Sequence, residues 1–169
     1  MPERQFASWV EPIARRDGDA RIELVAYARS VAGEAWRRSS PLDGWSCKDV
    51  LAHLAGDSGK WFAYILESVL DGNPLDDGRA GPGADVDAIN ARDVRERGDR
   101  PVAELIAEIE SDGAAHLERL SRLAERHGGV RLEPYSCSLA EFLGHNDAGD
   151  RGGHDREHLA HLRSALETK

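Results

Sequence analysis

The sequence has few cysteines and no long hydrophobic run. Its two cysteines, Cys47 and Cys137, lie far apart and form no C-x-x-C pair, so neither a disulfide scaffold nor a structural zinc ribbon is expected. The longest apolar runs, such as residues 61–66, are much shorter than the roughly 18 to 20 residues of a transmembrane helix. Alternation of apolar and polar residues is too brief to predict a sheet. We therefore expect a mainly helical protein with reduced thiols and no membrane span.

Basic residues are also scarce relative to acidic ones. The 169-residue chain has 22 basic and 31 acidic residues, which give a formal net charge of -9. Binding to nucleic acid would begin against long-range repulsion, so a polyanion is a poor candidate partner. The first residues lack the basic region and apolar core of a secretory signal. We expect a cytoplasmic protein.

The length and the 40% content of hydrophobic residues predict one domain. Residues 1–18 contain several apolar side chains and a predicted break at Pro12, and we expect them to form a short packed arm. Residues 19–167 are expected to form the domain itself. Within it, apolar residues at three- and four-residue steps predict a first helix from about Asp19 to Arg38.

A capping signal marks the start of the second helix. Ser46 is followed by Asp49 three positions later, which is the spacing of a capping box. An apolar stripe continues to about Asp71, where Gly72 is predicted to end the helix. Residues 73–84 are rich in glycine and proline and are expected to form a surface loop.

Three further helical segments complete the prediction. Residues 85–97 form a short helix, and an apolar stripe predicts a third long helix over 101–127. A second capping box at Ser138 opens a fourth helix that continues to about residue 167, although several glycines weaken it and predict a break near Gly152. Four long helices with short or looping connections predict an all-α four-helix bundle.

Three histidines are candidate metal ligands. His154 and His158 are four residues apart on the predicted last helix, so their Cβ atoms would lie roughly 5 to 6 Å apart on one face. Neutral imidazoles at this spacing suit one divalent ion, but two solvated or stacked surface histidines would have the same spacing. His53 lies among apolar residues in the second helix, where it is either a hydrogen-bonded core residue or the third ligand.

Carboxylates near these histidines are candidate hydrogen-bond partners, because a ligating imidazole usually donates its other N–H to an oxygen. Asp57 follows His53 by one turn and is either such a partner, a fourth ligand or a solvated carboxylate. Asp150 and Asp155 are expected to be surface charges. Asp155 occupies the glutamate position of a zincin H-E-x-x-H motif, but its side chain is shorter and the zincin context is missing.

The remaining chemically active side chains have structural interpretations. Cys47, in the first turn of the second helix, is predicted to have a lowered thiol pKa and to be a buried capping-turn residue. Four aromatic residues are expected to pack in the core rather than to line a pocket above the metal: Trp45, Trp61, Phe62 and Tyr64. Three histidines without a partner at ligand spacing are expected at the surface: His116, His127 and His145.

Two segments carry a family resemblance. Residues 44–54, GWSCKDVLAHL, resemble the G-W-S-x-x-D-x-x-x-H-L start of helix two in the DinB/YfiT-like metalloprotein superfamily. This superfamily includes the N-terminal domain of mycothiol-dependent maleylpyruvate isomerase. The H-x-x-x-H-L sequence at 154–159 matches the second signature of the superfamily. The resemblance covers about residues 19–166 and implies an up-up-down-down bundle, often a homodimer, with a divalent metal held by His53, His154 and His158.

The resemblance and the ligand set together predict a type of chemistry. Three protein nitrogens leave a coordination position open, as in catalytic sites, and the metal is expected to be zinc, with nickel, iron or manganese as alternatives. Characterised relatives use a low-molecular-weight thiol such as mycothiol or bacillithiol, which implies a thiol S-transferase or thiol-dependent isomerase acting on an electrophilic small molecule. Two alternatives are a metal-dependent hydrolase of a toxic metabolite and a non-catalytic metal- or small-molecule-binding stress-response protein.

Overall fold

The computed structural model describes residues 5–75, 85–145 and 149–167, without the side chains of residues 57–59. The described residues are mostly helical, as predicted. They form seven α-helices: α1 (Glu11–Ser30), α2 (Cys47–Leu54), α3 (Asp57–Asp71), α4 (Val86–Arg97), α5 (Val102–Ser121), α6 (Leu139–His145) and α7 (Arg151–Glu167). Two short antiparallel strands, β1 (Arg131–Leu132) and β2 (Cys137–Ser138), pair between α5 and α6 with Arg131 opposite Ser138. The four-helix bundle topology stays a prediction.

The first helix begins earlier than the sequence pattern indicated. Helix α1 starts at Glu11, and Pro12 lies in its first turn. A proline at this position disrupts no intrahelical hydrogen bond, since the first N–H groups of a helix have no partner there. The predicted break at Pro12 and the predicted start at Asp19 are therefore wrong. The helix ends at Ser30, and a 3-10 helix over Gly33–Arg37 replaces the rest of the predicted span.

The predicted second helix is two helices. The capping box is confirmed, because Ser46 Oγ accepts from the Asp49 N–H at 3.2 Å and the Asp49 carboxylate accepts from the Ser46 N–H at 2.8 Å. Gly56 lies in the break between α2 and α3, and a Cβ there would be 2.5 Å from Asp93 on α4. The break thus allows α2 and α4 to approach closely. Gly72 ends α3 in the left-handed region, as predicted.

In the second half of the chain, several helices begin or end at residues other than those predicted. Helix α4 agrees with the predicted helix over 85–97, whereas α5 ends at Ser121 and a 3-10 helix over Glu125–Gly129 follows it. The capping box at Ser138 is confirmed by reciprocal hydrogen bonds with Glu141. The predicted fourth helix is divided into α6 and α7. The division directly precedes Arg151, so the predicted break near Gly152 is confirmed, with Gly152 itself in the first turn of α7. Residues 76–84 of the predicted loop lie outside the described residues.

The helices enclose two hydrophobic clusters. Helix α1 packs against α5 and α7, and α2 contacts α4, α5 and α7. The first cluster joins α1, α2, α5 and α7 through residues that include Leu24, Leu51, Leu105 and Leu162. The second joins α3, the end of α5, and α6 through residues that include Phe62, Ile65, Leu120 and Phe142. This packing brings α2 and α7, which carry the three candidate ligands, against each other. No described helix combines the length and apolarity of a membrane span.

Candidate metal centre

His53 lies in the last turn of α2 and is buried, with 6% of its surface exposed. The capping box at Ser46 fixes the start of this eight-residue helix, and apolar neighbours of the first cluster hold its inner face. The half-buried ring of Trp45 packs against the imidazole, with the ring centroids 5.3 Å apart. His53 is therefore held in one orientation at the interface between α2 and α7.

The other two candidates meet His53 from the facing helix. His154 Nε2 lies 3.2 Å from His53 Nε2 and 3.1 Å from His158 Nε2. The three rings each contribute one nitrogen, and these three nitrogens all lie within 4.8 Å of one another. The structure thus brings together the three histidines that the sequence had singled out, from positions about a hundred residues apart along the chain.

Two of the three nitrogen–nitrogen separations suit ligands of a single divalent ion. With metal–nitrogen bonds of about 2.0–2.1 Å, two ligand nitrogens lie about 3.3 Å apart in tetrahedral geometry and about 2.9 Å apart in octahedral geometry. The separations of 3.1 and 3.2 Å fall between these values. A hydrogen bond can satisfy one such nitrogen pair, whereas an ion can satisfy all three nitrogens at once.

The electrostatic environment keeps the three rings neutral. Burial is the main reason that the pKa falls to about 4 at His53, about 3 at His154 and about 2 at His158. Neighbouring imidazoles lower the pKa of His154 and His158 further, and the charges of Arg21 and Arg151 add to the effect at His154. At neutral pH each ring therefore offers an unprotonated nitrogen, the form that binds a metal.

The second ring nitrogens of His53 and His158, the two buried candidate ligands, lack hydrogen-bond partners among the described side chains. Nδ1 of His53 and Nδ1 of His158 are buried and accept or donate no hydrogen bond there. Asp57, the predicted partner, begins α3, but its side chain lies outside the described residues. His161 is one turn beyond His158, with the ring centroids 5.7 Å apart, and lies outside the converging group. The role predicted for Asp57 stays a prediction.

Asp155 is not the surface charge that the sequence predicted. Its side chain is fully buried, and it accepts from Arg21 Nε at 2.7 Å and from Arg21 Nη2 at 3.0 Å. The four-residue spacing from Arg151 to Asp155 places two charged residues on the inner face of α7, which is a signal that sequence analysis missed. Asp150 is half-exposed and caps α7, because its Oδ1 accepts from the Gly153 N–H at 2.7 Å.

His116 is also buried, contrary to the prediction of a surface histidine. It falls on the apolar stripe of α5 with Ile109 and Leu120, a spacing that already indicates burial. Its Nε2 lies 3.0 Å from Asp17 Oδ2 on α1. Asp17 Oδ1 accepts from the Gly152 N–H at 3.1 Å, so a residue of α1 caps the start of α7. The carboxylate can approach because Gly152 has no Cβ.

The structure also tests the predictions for two other histidines, for Cys47 and for the aromatic residues. His127 is buried and its Nδ1 accepts from the Ala124 N–H at 2.9 Å, so its predicted surface position is wrong, whereas His145 is exposed as predicted. Cys47 is buried as predicted, but burial raises the pKa of its thiol, which outweighs the effect of the helix N-terminus. All four aromatic residues pack against the hydrophobic clusters, Trp45 against the first and the other three in the second and its packed margin: Trp61, Phe62 and Tyr64.

A family model matches most of the chain. It is described as the mycothiol maleylpyruvate isomerase N-terminal domain and spans residues 18–144. The chain belongs to this family. The match confirms the resemblance that residues 44–54 carry. No curated protein and no solved structure matches the chain.

The segment that matches the mycothiol maleylpyruvate isomerase N-terminal domain family includes one of the three candidate ligands. His53 lies within the match, whereas His154 and His158 follow residue 144. Helix α7, which carries both, packs against α2, which lies inside the matched range, and against α1, most of which does. The histidine group therefore combines one residue inside the matched segment with two residues that follow it.

The buried His116 predicts an acid-sensitive contribution to stability. Burial, helped by the Arg151 charge, lowers its pKa from 6.5 to about 4 despite the opposing Asp17. The unfolded chain therefore takes up a proton before the folded one, and the contribution present above pH 6.5 is lost as the pH falls toward 4. The expected slope is about 1 kcal/mol per pH unit. Urea unfolding of wild type and His116→Gln at pH 7, 6 and 5 should show a shallower dependence in the variant, and parallel curves would contradict the assignment.

Proposed function

We propose that the chain binds one divalent metal ion through His53, His154 and His158 and catalyses thiol S-transfer or thiol-dependent isomerisation on an electrophilic small molecule. The convergence of the three Nε2 atoms, within 3.2 Å for two of the pairs, carries the metal part of the proposal. Family membership supports the thiol part, with mycothiol as the candidate cosubstrate and bacillithiol as an alternative. Zinc is the proposed ion, with nickel, iron or manganese as alternatives.

The residues suit a catalytic rather than a purely structural ion. Three protein nitrogens occupy three positions and leave at least one for an exogenous ligand. When bound, the ion would lower the pKa of a coordinated thiol or water and so supply a nucleophile at neutral pH. The three imidazoles are neutral, so they would not offset the positive charge of the ion. The apolar residues around α2, together with the Trp45 ring beside His53, cover one side of the site.

The proposed transfer has a simple balance of atoms. The thiol loses its proton to solvent, its sulfur forms a bond to the electrophilic carbon, and the leaving group departs with the electron pair of the broken bond. In the isomerisation the sulfur adds to an activated double bond, the resulting single bond rotates, and the thiol is then eliminated. Both reactions need a nucleophilic sulfur, and neither needs an oxidant or reductant.

Purified protein without a histidine tag provides the test. Its metal content is measured by elemental analysis, and its activity by conjugation of mycothiol to 1-chloro-2,4-dinitrobenzene with release of chloride. Wild type is expected to hold about one ion per chain and to catalyse the conjugation. His53→Ala should lose both, whereas the exposed His145→Ala should keep both. A wild type without metal, or unchanged turnover in His53→Ala, would overturn the proposal.

The same experiment separates the alternative functions. Chloride release that needs protein but no thiol would identify a hydrolase. Tight metal binding with no turnover of several electrophiles, with either mycothiol or bacillithiol, would indicate a non-catalytic binding protein. Either outcome would overturn the transferase and isomerase proposal while leaving the metal site in place.

The cytoplasmic location and the homodimer stay proposals as well. Light scattering of the purified chain measures its mass in solution against the 18.5 kDa of one copy. A homodimer predicts twice this mass at micromolar concentration, and the monomer mass at all concentrations would contradict it.

A further inference from the structure

A buried ion pair connects α1 to the helix that carries two of the candidate ligands. Arg21 of α1 and Asp155 of α7 are 6% and 0% exposed. Arg21 Nε and Nη2 donate to the two oxygens of Asp155 at 2.7 and 3.0 Å. This two-point contact fixes the orientation of both groups, because a planar guanidinium and a carboxylate fit together in few ways.

The surroundings of Arg21 are shaped to hold it in this position. Its Nη1 donates to the Ile109 carbonyl of α5 at 3.2 Å, so one side chain connects three helices. Gly113 of α5 leaves room for it, since a Cβ at this position would be 2.7 Å from Arg21 Cγ. Asp155 directly follows His154 and precedes His158 by one turn. The guanidinium therefore anchors α7 between its two candidate ligands.

Stability alone is a weak explanation for such a pair. The desolvation of two charges offsets most of their attraction, and an apolar pair of similar volume often stabilises a fold as well or better. An apolar pair, however, has no directional contact and constrains the rotation of α7 less. A rotation of α7 about its axis would move the two imidazoles of that helix away from His53.

We propose that Arg21 and Asp155 are positioning residues for the metal site, which fix the rotation of α7 so that His154 and His158 face His53. The inference rests on the proposed metal site and adds to it two residues that contact no ligand nitrogen in the structure. Changes to residues that orient metal ligands typically weaken metal affinity by about 10- to 100-fold.

The charges of the pair allow a positioning role to be distinguished from an electrostatic one. The Arg21 charge opposes a cation nearby, and the Asp155 charge favours it. If the pair acted through its field, Arg21→Met would strengthen metal binding and Asp155→Asn would weaken it. If the pair positions α7, both variants weaken binding, because each removes the two-point contact.

Titration with Co²⁺, followed by its visible absorption, provides the test. Wild type, Arg21→Met and Asp155→Asn are compared with Leu120→Ala, which perturbs the second cluster and has no role in the proposed contact. Circular dichroism and thermal unfolding establish that each variant is folded and how far it is destabilised. Arg21→Lys keeps the positive charge but loses the two-point contact of the planar guanidinium. It replaces any variant that does not fold.

The expected result is a loss of Co²⁺ affinity of about 10- to 100-fold in both charge variants, with an altered absorption spectrum, and about wild-type affinity in Leu120→Ala. Opposite shifts in the two variants, unchanged affinity in both, or an equal loss in Leu120→Ala would overturn the positioning role. Unchanged affinity in Arg21→Lys would do the same. A wild type that binds no Co²⁺ would instead overturn the metal site, and with it both proposals.

Discussion

Replacing His158 by alanine is expected to lower metal affinity by more than about 100-fold, since loss of a direct ligand exceeds the 10- to 100-fold effect of changing a residue that only orients one. His158 Nε2 lies 3.1 Å from His154 Nε2, so its removal leaves two donors where three converge. The measurement is a competition titration with a zinc chelator at pH 7, together with elemental analysis of the purified variant.

A matched control lies one turn away on the same helix. His161 is half-buried and packs against His158, but it lies outside the converging group. His161→Ala should therefore keep its metal and an affinity within a few-fold of wild type. An equal loss in the two variants would show that histidine content of α7, rather than the geometry of the three rings, determines binding. Full metal content in His158→Ala would contradict the proposed metal site.

The largest expected loss of stability outside the metal site follows from Asp17→Ala. The Asp17 carboxylate accepts from the Gly152 N–H and from Arg16 Nε, and its second oxygen lies 3.0 Å from His116 Nε2. Its removal leaves a buried backbone donor and a buried imidazole without their partner. We expect the free energy of unfolding to fall by about 2–4 kcal/mol, since two buried polar groups each lose a hydrogen-bond partner, as measured by urea denaturation at pH 7.

Asp19 provides the control for this prediction. It lies on the same helix two residues later and is exposed. Asp19→Ala should change the free energy of unfolding by no more than about 0.5 kcal/mol, as is usual for surface substitutions. Similar small effects in both variants would mean that Asp17 does not hold α1 and α7 together as the hydrogen bonds indicate.

Local features of the fold could be predicted from the sequence, and features that need a distant partner could not. The two capping boxes at Ser46 and Ser138 depend on residues three positions apart, and both are present. The break at Gly56 depends on the approach of Asp93 from another helix. The break before α7 is different, because the glycines around it already predicted a break near Gly152, and a side chain at Gly149 would collide with the Phe142 carbonyl. No local pattern indicates the contact between Gly56 and Asp93.

The same distinction applies to the site. The three candidate histidines could be singled out because two of them share a helical spacing and the third lies in a segment with a family resemblance. The charged residues behind them were missed, since Arg21 and Asp155 are far apart in sequence and each alone is typical of a solvated helix face. Charged side chains are rarely buried without a partner. Arg21 and Asp155 can be identified as partners only from the packing of α1 against α7.

The position of α7 beyond residue 144 has a practical consequence for work with fragments. A polypeptide cut where the family match ends would contain His53 but neither of the other two imidazoles. It would also expose the inner face of α1, where Arg21 would lose the carboxylate that it contacts in the intact chain and Asp17 the amide that it caps. Such a truncated protein should be aggregation-prone as well as metal-free, so its inactivity would say nothing about the catalytic capacity of the family.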